Sequence, residues 1–384
     1  MDFELTEEQR RIQQLAREFG EREIAPRQAQ YDLEERFPLE LYKKMGELGM
    51  LGGTIPTEYG GSGMDYLSLT IMLEELGYFC LILPAVAGML STIVGNAFLS
   101  YGTEEQIQRY LIPCCRGESL CALGVTEPQG GSDVATVTTK VAREGDKYIL
   151  HGVKTWISYV GVADYFITFA QMEGARAREG ICAFVLERGF PGFSTPKIVN
   201  KLGDRPGEAG DLVFDGCVVP GENLLGKEGE GLRIALSGLE SNRLCFAARC
   251  CGAIRACLDE SVKYARDRVV FGNPIGRYQL IQSKIVDMTV NLECTKALIY
   301  KLAWLKDQGA RRATKEASMA KLFATDALMK ATTDAVQIFG SYGVSNDNKI
   351  TRFFRDAKVH QIMEGTSEIQ TTLIAEYALG YRTR

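Results

Sequence analysis

A chain of 384 residues exceeds the roughly 250–300 that a single hydrophobic core sustains, so two or three domains are expected. With 46% hydrophobic and 24% charged residues it reads as globular, and a net charge of −5 argues against nucleic acid as the main partner, which calls for a basic patch. The 11 Cys and two His show no zinc spacing and no small secreted framework, so buried, reduced thiols in a cytoplasmic protein are expected.

Residues 1–118 read as a helical domain. The N-terminus opens on a helix signal, not an apolar leader, and Thr6-Glu7-Glu8-Gln9 is a capping box. Ile12, Leu15 and Phe19 then share a helix face. Leu39–Leu48, Tyr66–Leu76 and Thr103–Tyr110 are further helices, with a break at Tyr59-Gly60-Gly61-Ser62-Gly63. The longest apolar stretch, Leu81–Leu90, falls short of a span of about 20 residues and contains Pro84 and Gly88, so no membrane span is expected.

Residues 119–226 change character. The runs Leu120–Val125, Tyr148–Val153, Tyr165–Ala170, Ile181–Leu186 and Asp211–Phe214, separated by Gly, Asp and Pro, predict a middle domain of antiparallel strands. Helical period returns over 227–384, a C-terminal bundle. Ile281, Ile285, Met288 and Leu292 mark one face of a long helix ending near Gly309, and Phe323, Ala327, Ala331, Ala335 and Ile338 mark another. The fold class is α+β, in the order α, β, α.

No GxGxxG, P-loop or GxSxG elbow is present. Three loops carry the remaining signals, and each has a plain alternative. Thr126-Glu127-Pro128-Gln129-Gly130-Gly131-Ser132-Asp133 follows a strand; it lets a ligand approach the backbone, or is an ordinary glycine-rich turn. Arg268-Val269-Val270-Phe271-Gly272, followed by Arg277-Tyr278-Gln279, could hold a diphosphate, or is a helix end with a solvated Arg. Met363-Glu364-Gly365-Thr366-Ser367-Glu368-Ile369-Gln370 contains a capping box formed by Ser367 and Gln370, hence a helix start suited to an anion. Glu364 just before it is a base if desolvated, or a surface Glu favoured by the helix dipole.

Together, in this order, the three loops resemble the acyl-CoA dehydrogenase family. The resemblance extends from Asp2-Phe3-Glu4-Leu5-Thr6-Glu7-Glu8-Gln9 through Gln337-Ile338-Phe339-Gly340 and Arg355-Asp356-Ala357-Lys358. It implies a helical domain, a β-domain and a four-helix bundle, assembled as a homotetramer that binds FAD, with an electron-transfer flavoprotein as redox partner. By similarity Thr126 and Ser158 bond the flavin ring and Trp156 packs on it. Arg268, Phe271 and Gln279 reach FAD from a neighbouring subunit, Gln337 and Ser341 its diphosphate region, Thr366 and Glu368 its ADP end. Ser132, Glu240 and Arg243 match substrate positions along the CoA channel, and Met363 and Gly365 flank Glu364 at the acyl group.

Glu364 matches the family's catalytic base, which removes the α-proton of an acyl-CoA thioester while the β-hydride passes to FAD. The thioester oxygen is held by the amide of the base and a flavin ribityl hydroxyl. Other branches carry the base just before the residue matching Arg243; here that residue is Asn242, which cannot serve.

Departures from the family pattern bear on substrate. Met363 stands where Tyr is common, Ser341 where Gly is usual, and Ser158 where Thr is common. The pocket is expected to take a short, branched or cyclic acyl group. Segment 79–101 contains no Lys or Arg, so a glutaryl-type substrate with a terminal carboxylate is disfavoured. Gly276–Gln282 and Arg352–Asp356 also resemble members that reduce enoyl-CoAs, which leaves the direction open. A flavin-containing binding protein without turnover is the alternative of another class; Glu364 and the acidic balance speak against it.

Overall fold

The computed structural model describes residues 4–175, 177–310 and 312–382; Asp2 and Phe3 of the opening motif lie outside it. Thr6 caps α1 (Glu7–Phe19): its hydroxyl accepts from the Gln9 amide at 3.2 Å, and Gln9 returns the bond to the Thr6 amide at 3.0 Å. There follow α2 (Gln28–Glu34), α3 (Leu39–Glu47), α4 (Tyr66–Gly77), α5 (Ile82–Tyr101) and the helical segment α6 (104–115).

The apolar run is longer than Leu81–Leu90 suggests. Pro84 sits in the first turn of α5, where its missing N–H costs nothing, and a π-turn at Leu90–Val94 carries the helix on. The result is 20 residues with a mean hydropathy of 1.8 over its most apolar window, enough by length and composition to cross a membrane. Of that window 78% is buried inside the protein, against α4, α8 and the rest of the helical core.

The middle sheet comprises β1 (Cys121–Gly124), β2 (Lys140–Glu144), β3 (Lys147–Ile157), β4 (Tyr165–Met172), β5 (Ile181–Glu187), β6 (Phe193–Ser194), β7 (Gly210–Pro220) and β8 (Leu224–Leu225). Its order is β6-β7-β3-β2-β4-β5-β8, with β1 also paired to β4. Most pairings are antiparallel, but β1 and β2 each run parallel to β4, with Cys121 opposite Tyr165 and Lys140 opposite Gln171. β4 and β5 are buried along nearly their whole length and read as continuous apolar runs, whereas β7 alternates.

A short helix, α7 (Gly231–Ser237), leads into the bundle: α8 (Leu239–Asp267), α9 (Gln279–Asp307), α10 (Thr314–Phe339), α11 (Lys349–Ile362) and α12 (Ser367–Ala378). Between α8 and α9 lies a hairpin of β9 (Val269–Val270) and β10 (Asn273–Pro274). The expected face of α9 is inward at Met288 and Leu292, and that of α10 at Ala331, Ala335 and Ile338. All 11 Cys are free, and ten are buried, Cys294 being exposed.

The α4–α8 crossing places charged partners as well as apolar ones. The buried Glu75 carboxylate takes Arg255 at 2.7 Å and Arg17 at 3.2 Å, tying α4 to α8 and α1. The helices approach this closely because α8 has Gly252 at the contact, where a Cβ would stand 2.0 Å from the Glu74 carbonyl oxygen. Gly252→Val is therefore expected to force the helices apart and destabilise the protein by about 1–3 kcal/mol, read as a fall in thermal midpoint.

Candidate functional site

The turn between α11 and α12 carries Met363, Glu364 and Gly365. Glu364 has φ of +57° and Gly365 of +88°, so two successive left-handed residues reverse the chain. That φ favours glycine at 365, where any L side chain would be strained. The helix start differs from the expected one. Thr366, not Ser367, is the N-cap, its hydroxyl accepting from the Ile369 amide at 3.4 Å. Gln370 instead turns back and donates to the carbonyls of Glu364 at 3.2 Å and Gly365 at 3.0 Å.

Two buried cations reach the same carbonyls. Arg243 Nε of α8 lies 3.4 Å from the Glu364 carbonyl, and Lys321 Nζ of α10 lies 2.9 Å from that of Gly365. Burial lowers both groups, Lys321 to about 8. The Glu364 carboxylate itself is left out: Oε2 is buried and has no hydrogen-bond partner among the described residues. Its backbone N–H likewise finds no backbone acceptor. Asn242 bonds Thr92 at 3.3 Å and carries no acid–base capacity.

A second group lies at the end of β3 and the loop after β1. The Thr155 amide donates to the Thr126 carbonyl at 2.8 Å, bringing Thr126, Trp156 and Ser158 together. Trp156 has φ of +60° and is 61% exposed between buried Lys154 and Ile157, an indole platform beside two hydroxyls that bond no described side chain. Tyr159 follows at once, within Coulombic reach of Glu364, which puts this group in the neighbourhood of the first.

The loop is held from beneath by Glu127, which sequence reasoning passes over. Its buried carboxylate takes Lys154 Nζ at 2.7 Å, the amides of Thr138 and Thr139 at 2.7 and 3.0 Å, and both threonine hydroxyls at 2.6 Å. Burial pushes the Glu127 carboxyl up, but the Lys154 ammonium and these donors outweigh it and hold it at about 2. Ser132 is exposed on the same loop, and no hydrogen bond joins it to Glu240 or Arg243. Glu240 is already engaged: Lys306, the Ala313 amide and the Thr314 hydroxyl take its oxygens at the start of α10. Met363 and Thr366 are half-buried beside Glu364, and Glu368 is exposed one turn on.

The remaining residues gather at the far end of the bundle. Arg268 follows the end of α8, about 38 Å along its axis from Arg243 at about 1.5 Å per residue. Phe271 is 91% exposed at the hairpin tip, Gln279 and Gln337 are exposed, and Ser341 lies in the turn after α10, where Tyr264 stacks on Phe339. No single chain brings Arg268, Phe271, Gln279, Gln337 and Ser341 to Glu364. Lys321 also escapes sequence reasoning, though a signal exists: it occupies the buried stripe of Ala317, Ala324 and Leu328.

Three family models match in succession: the acyl-CoA dehydrogenase N-terminal domain over 6–118, the middle domain over 122–217 and the C-terminal domain over 229–379. Among similar proteins, a short-chain-specific acyl-CoA dehydrogenase of Clostridium acetobutylicum is 41% identical over 98% of this chain and 99% of its own. An NADH-dependent acryloyl-CoA reductase of Anaerotignum propionicum is also 41% identical, over 98% and 95%. A glutaryl-CoA dehydrogenase solved with glutaryl-CoA superposes with a TM-score of 0.96 at 39% identity, over 100% of this chain and 98% of its own.

Lys154→Met leaves Glu127 buried without its cation, so a loss of about 3–5 kcal/mol is expected by thermal or chemical unfolding. Because Glu127 is held below its ordinary 4.5, its stabilising contribution is present above that value and is lost as pH falls toward about 2. Acid titration of stability should therefore be shallower between those pH values in the variant.

Proposed function

The chain belongs to the acyl-CoA dehydrogenase family and is an FAD-dependent oxidoreductase, and from that membership we propose that it dehydrogenates an acyl-CoA thioester between the α and β carbons with Glu364 as the base. The observation that carries the assignment is the buried, unpartnered Oε2 of Glu364 on a left-handed turn. A carboxylate in that state is held ready to accept a proton, and no neighbour competes for its lone pairs. The free Glu364 amide is suited to receive the thioester oxygen as negative charge develops there. Arg243 and Lys321 draw charge toward the turn without protonating the base, since both bind carbonyls.

FAD supplies the hydride acceptor for the β-carbon. Thr126, Trp156 and Ser158 fit its ring, with two available hydroxyls flanking an exposed indole. Arg268, Phe271, Gln279, Gln337 and Ser341 fit the other end of the cofactor only if it comes from a neighbouring copy, which supports a homotetramer. Thr366 and Glu368 meet the cofactor's ADP end, Ser132 and Arg243 lie along the CoA channel, and Met363 and Gly365 flank Glu364 at the acyl group. The carboxylate of Glu240 shapes the channel through its anchorage at α10. The acyl group is short, branched or cyclic. An electron-transfer flavoprotein takes the electrons, and reduced, buried thiols fit the cytoplasm. The similarity to an acryloyl-CoA reductase supports a second reading, the same site run as an enoyl-CoA reductase; the flavin potential with substrate bound separates the two directions.

Glu364→Gln is expected to keep FAD and bind acyl-CoA while flavin bleaching slows by at least about a thousand-fold in stopped flow, since Asn242 gives no substitute. Bleaching near the wild-type rate would assign the base elsewhere. Arg268→Ala is expected to weaken FAD about ten- to a hundred-fold and to loosen the oligomer in the same samples, by absorbance and sedimentation. An unchanged oligomer with weakened FAD would place Arg268 in its own subunit's site.

A further inference from the structure

Beneath the Glu364 turn lies a cation that the chemistry described so far does not use. Arg249 is 5% exposed, six residues beyond Arg243 on α8 and so about 9 Å further along the helix. Its Nε donates to Nε2 of His360 at 3.2 Å, and His360 lies one helical turn before Glu364. The His360 ring is fully buried, and Nδ1 lies 2.9 Å from the Asp356 carbonyl. Burial holds its pKa at about 4, so the ring is neutral near pH 7, donating from Nδ1 and accepting Arg249 at Nε2.

That leaves the two terminal nitrogens of Arg249 without a hydrogen bond, and no ion pair reaches the guanidinium among the described residues. Asp204 stands on the far side of the imidazole, 3.7 Å from Nδ1. The guanidinium rests 4.1 Å from the centre of the Phe246 ring, and Lys321 Nζ lies 5.5 Å from the same ring. A ring face offsets only part of the cost of burying a guanidinium. Lys321 Nζ binds the Gly365 carbonyl and shares the Phe246 ring with the Arg249 guanidinium, so the unpaired cation lies under the turn that carries the unpaired base. Three largely buried cations, Arg243, Arg249 and Lys321, thus gather around the turn that carries Glu364.

We propose that Arg249, braced by His360, receives the carboxylate end of a dicarboxylic acyl group, so that the preferred substrate is a short ω-carboxyacyl-CoA. The assignment rests on the dehydrogenase reading above and narrows its substrate. The terminal nitrogens of an arginine form a planar fork that matches a carboxylate with two parallel bonds. The cation missing from segment 79–101 is thus supplied from α8, a helix away from where sequence reasoning looked.

The test compares thioesters of equal carbon count on the FAD-loaded protein: glutaryl-CoA against valeryl-CoA, and adipyl-CoA against hexanoyl-CoA. Anaerobic flavin bleaching is expected to favour the better ω-carboxy thioester by at least about 100-fold in kcat/KM, because a site built around a buried charge rejects the analogue that lacks its partner. Calorimetric binding to Glu364→Gln, where turnover is blocked, should show the same order. In Arg249→Gln the ratio should collapse toward one; should that variant lose FAD, the wild-type ratio and the binding order decide. Valeryl- or hexanoyl-CoA reacting as well as its ω-carboxy counterpart overturns the role of Arg249 and leaves Glu364 as the base. Bleaching by no acyl-CoA at all overturns the dehydrogenase reading, and this assignment with it.

Discussion

The arrangement depends on holding a left-handed turn by its carbonyls. Glu364 adopts a backbone conformation that side-chain-bearing residues rarely take, at a cost of about 1–3 kcal/mol. Arg243, Lys321 and Gln370 come from three different helices and offset that cost by binding the oxygens of residues 361, 364 and 365. None of the three touches the carboxylate. Had the same cations paired with Oε1 or Oε2, they would have fixed the side chain and occupied its lone pairs. The bundle thus positions the Glu364 side chain through its main chain and leaves its lone pairs available.

The same economy governs the β-domain side. Trp156 is presented to solvent because the β3–β7 register shifts between Lys154 and Ile157 and its left-handed backbone breaks the alternation that would put it on the face of buried Lys154. A buried ion pair here does more than contribute stability: it sets where the loop carrying Thr126 lies relative to β3. The β-domain meets the bundle at the loop around Asp204, whose amide donates to Asp356 of α11 at 2.7 Å.

Local chemistry made much of this legible. The Thr6 capping box, the faces of α9 and α10 and most of the strands follow from periodicity and turn residues, and the resemblance of three loops carried the family. What escaped was decided by partners distant in sequence. β2 reads as a polar stretch, Lys140–Glu144, and becomes a strand because β3 and β4 offer it open edges. The cap fell on Thr366 because Gly365 turns the chain one residue earlier than Ser367 and Gln370 suggest. The π-turn in α5 prolonged a helix that Pro84 and Gly88 seemed to shorten. Lys321, Lys154 and Arg249 are charges on otherwise apolar faces. Such a residue announces that something pairs with it, but its partner is named only once the helices are packed.

The distribution of the thiols has a further consequence. Cys80, Cys114 and Cys115 lie in the helical domain, Cys121, Cys182 and Cys217 in the sheet, and Cys245, Cys250, Cys251 and Cys257 on α8, all buried, with Cys294 alone in contact with solvent. Burial raises every one of the ten, several to about 12, so almost none is thiolate at neutral pH. Each part of the molecule therefore carries its own silent reporters. A thiol reagent meets one site per native chain, and every additional modification dates the transient opening of an identifiable segment, so that the local stability of helices, sheet and bundle can be timed separately in a single protein without substitution.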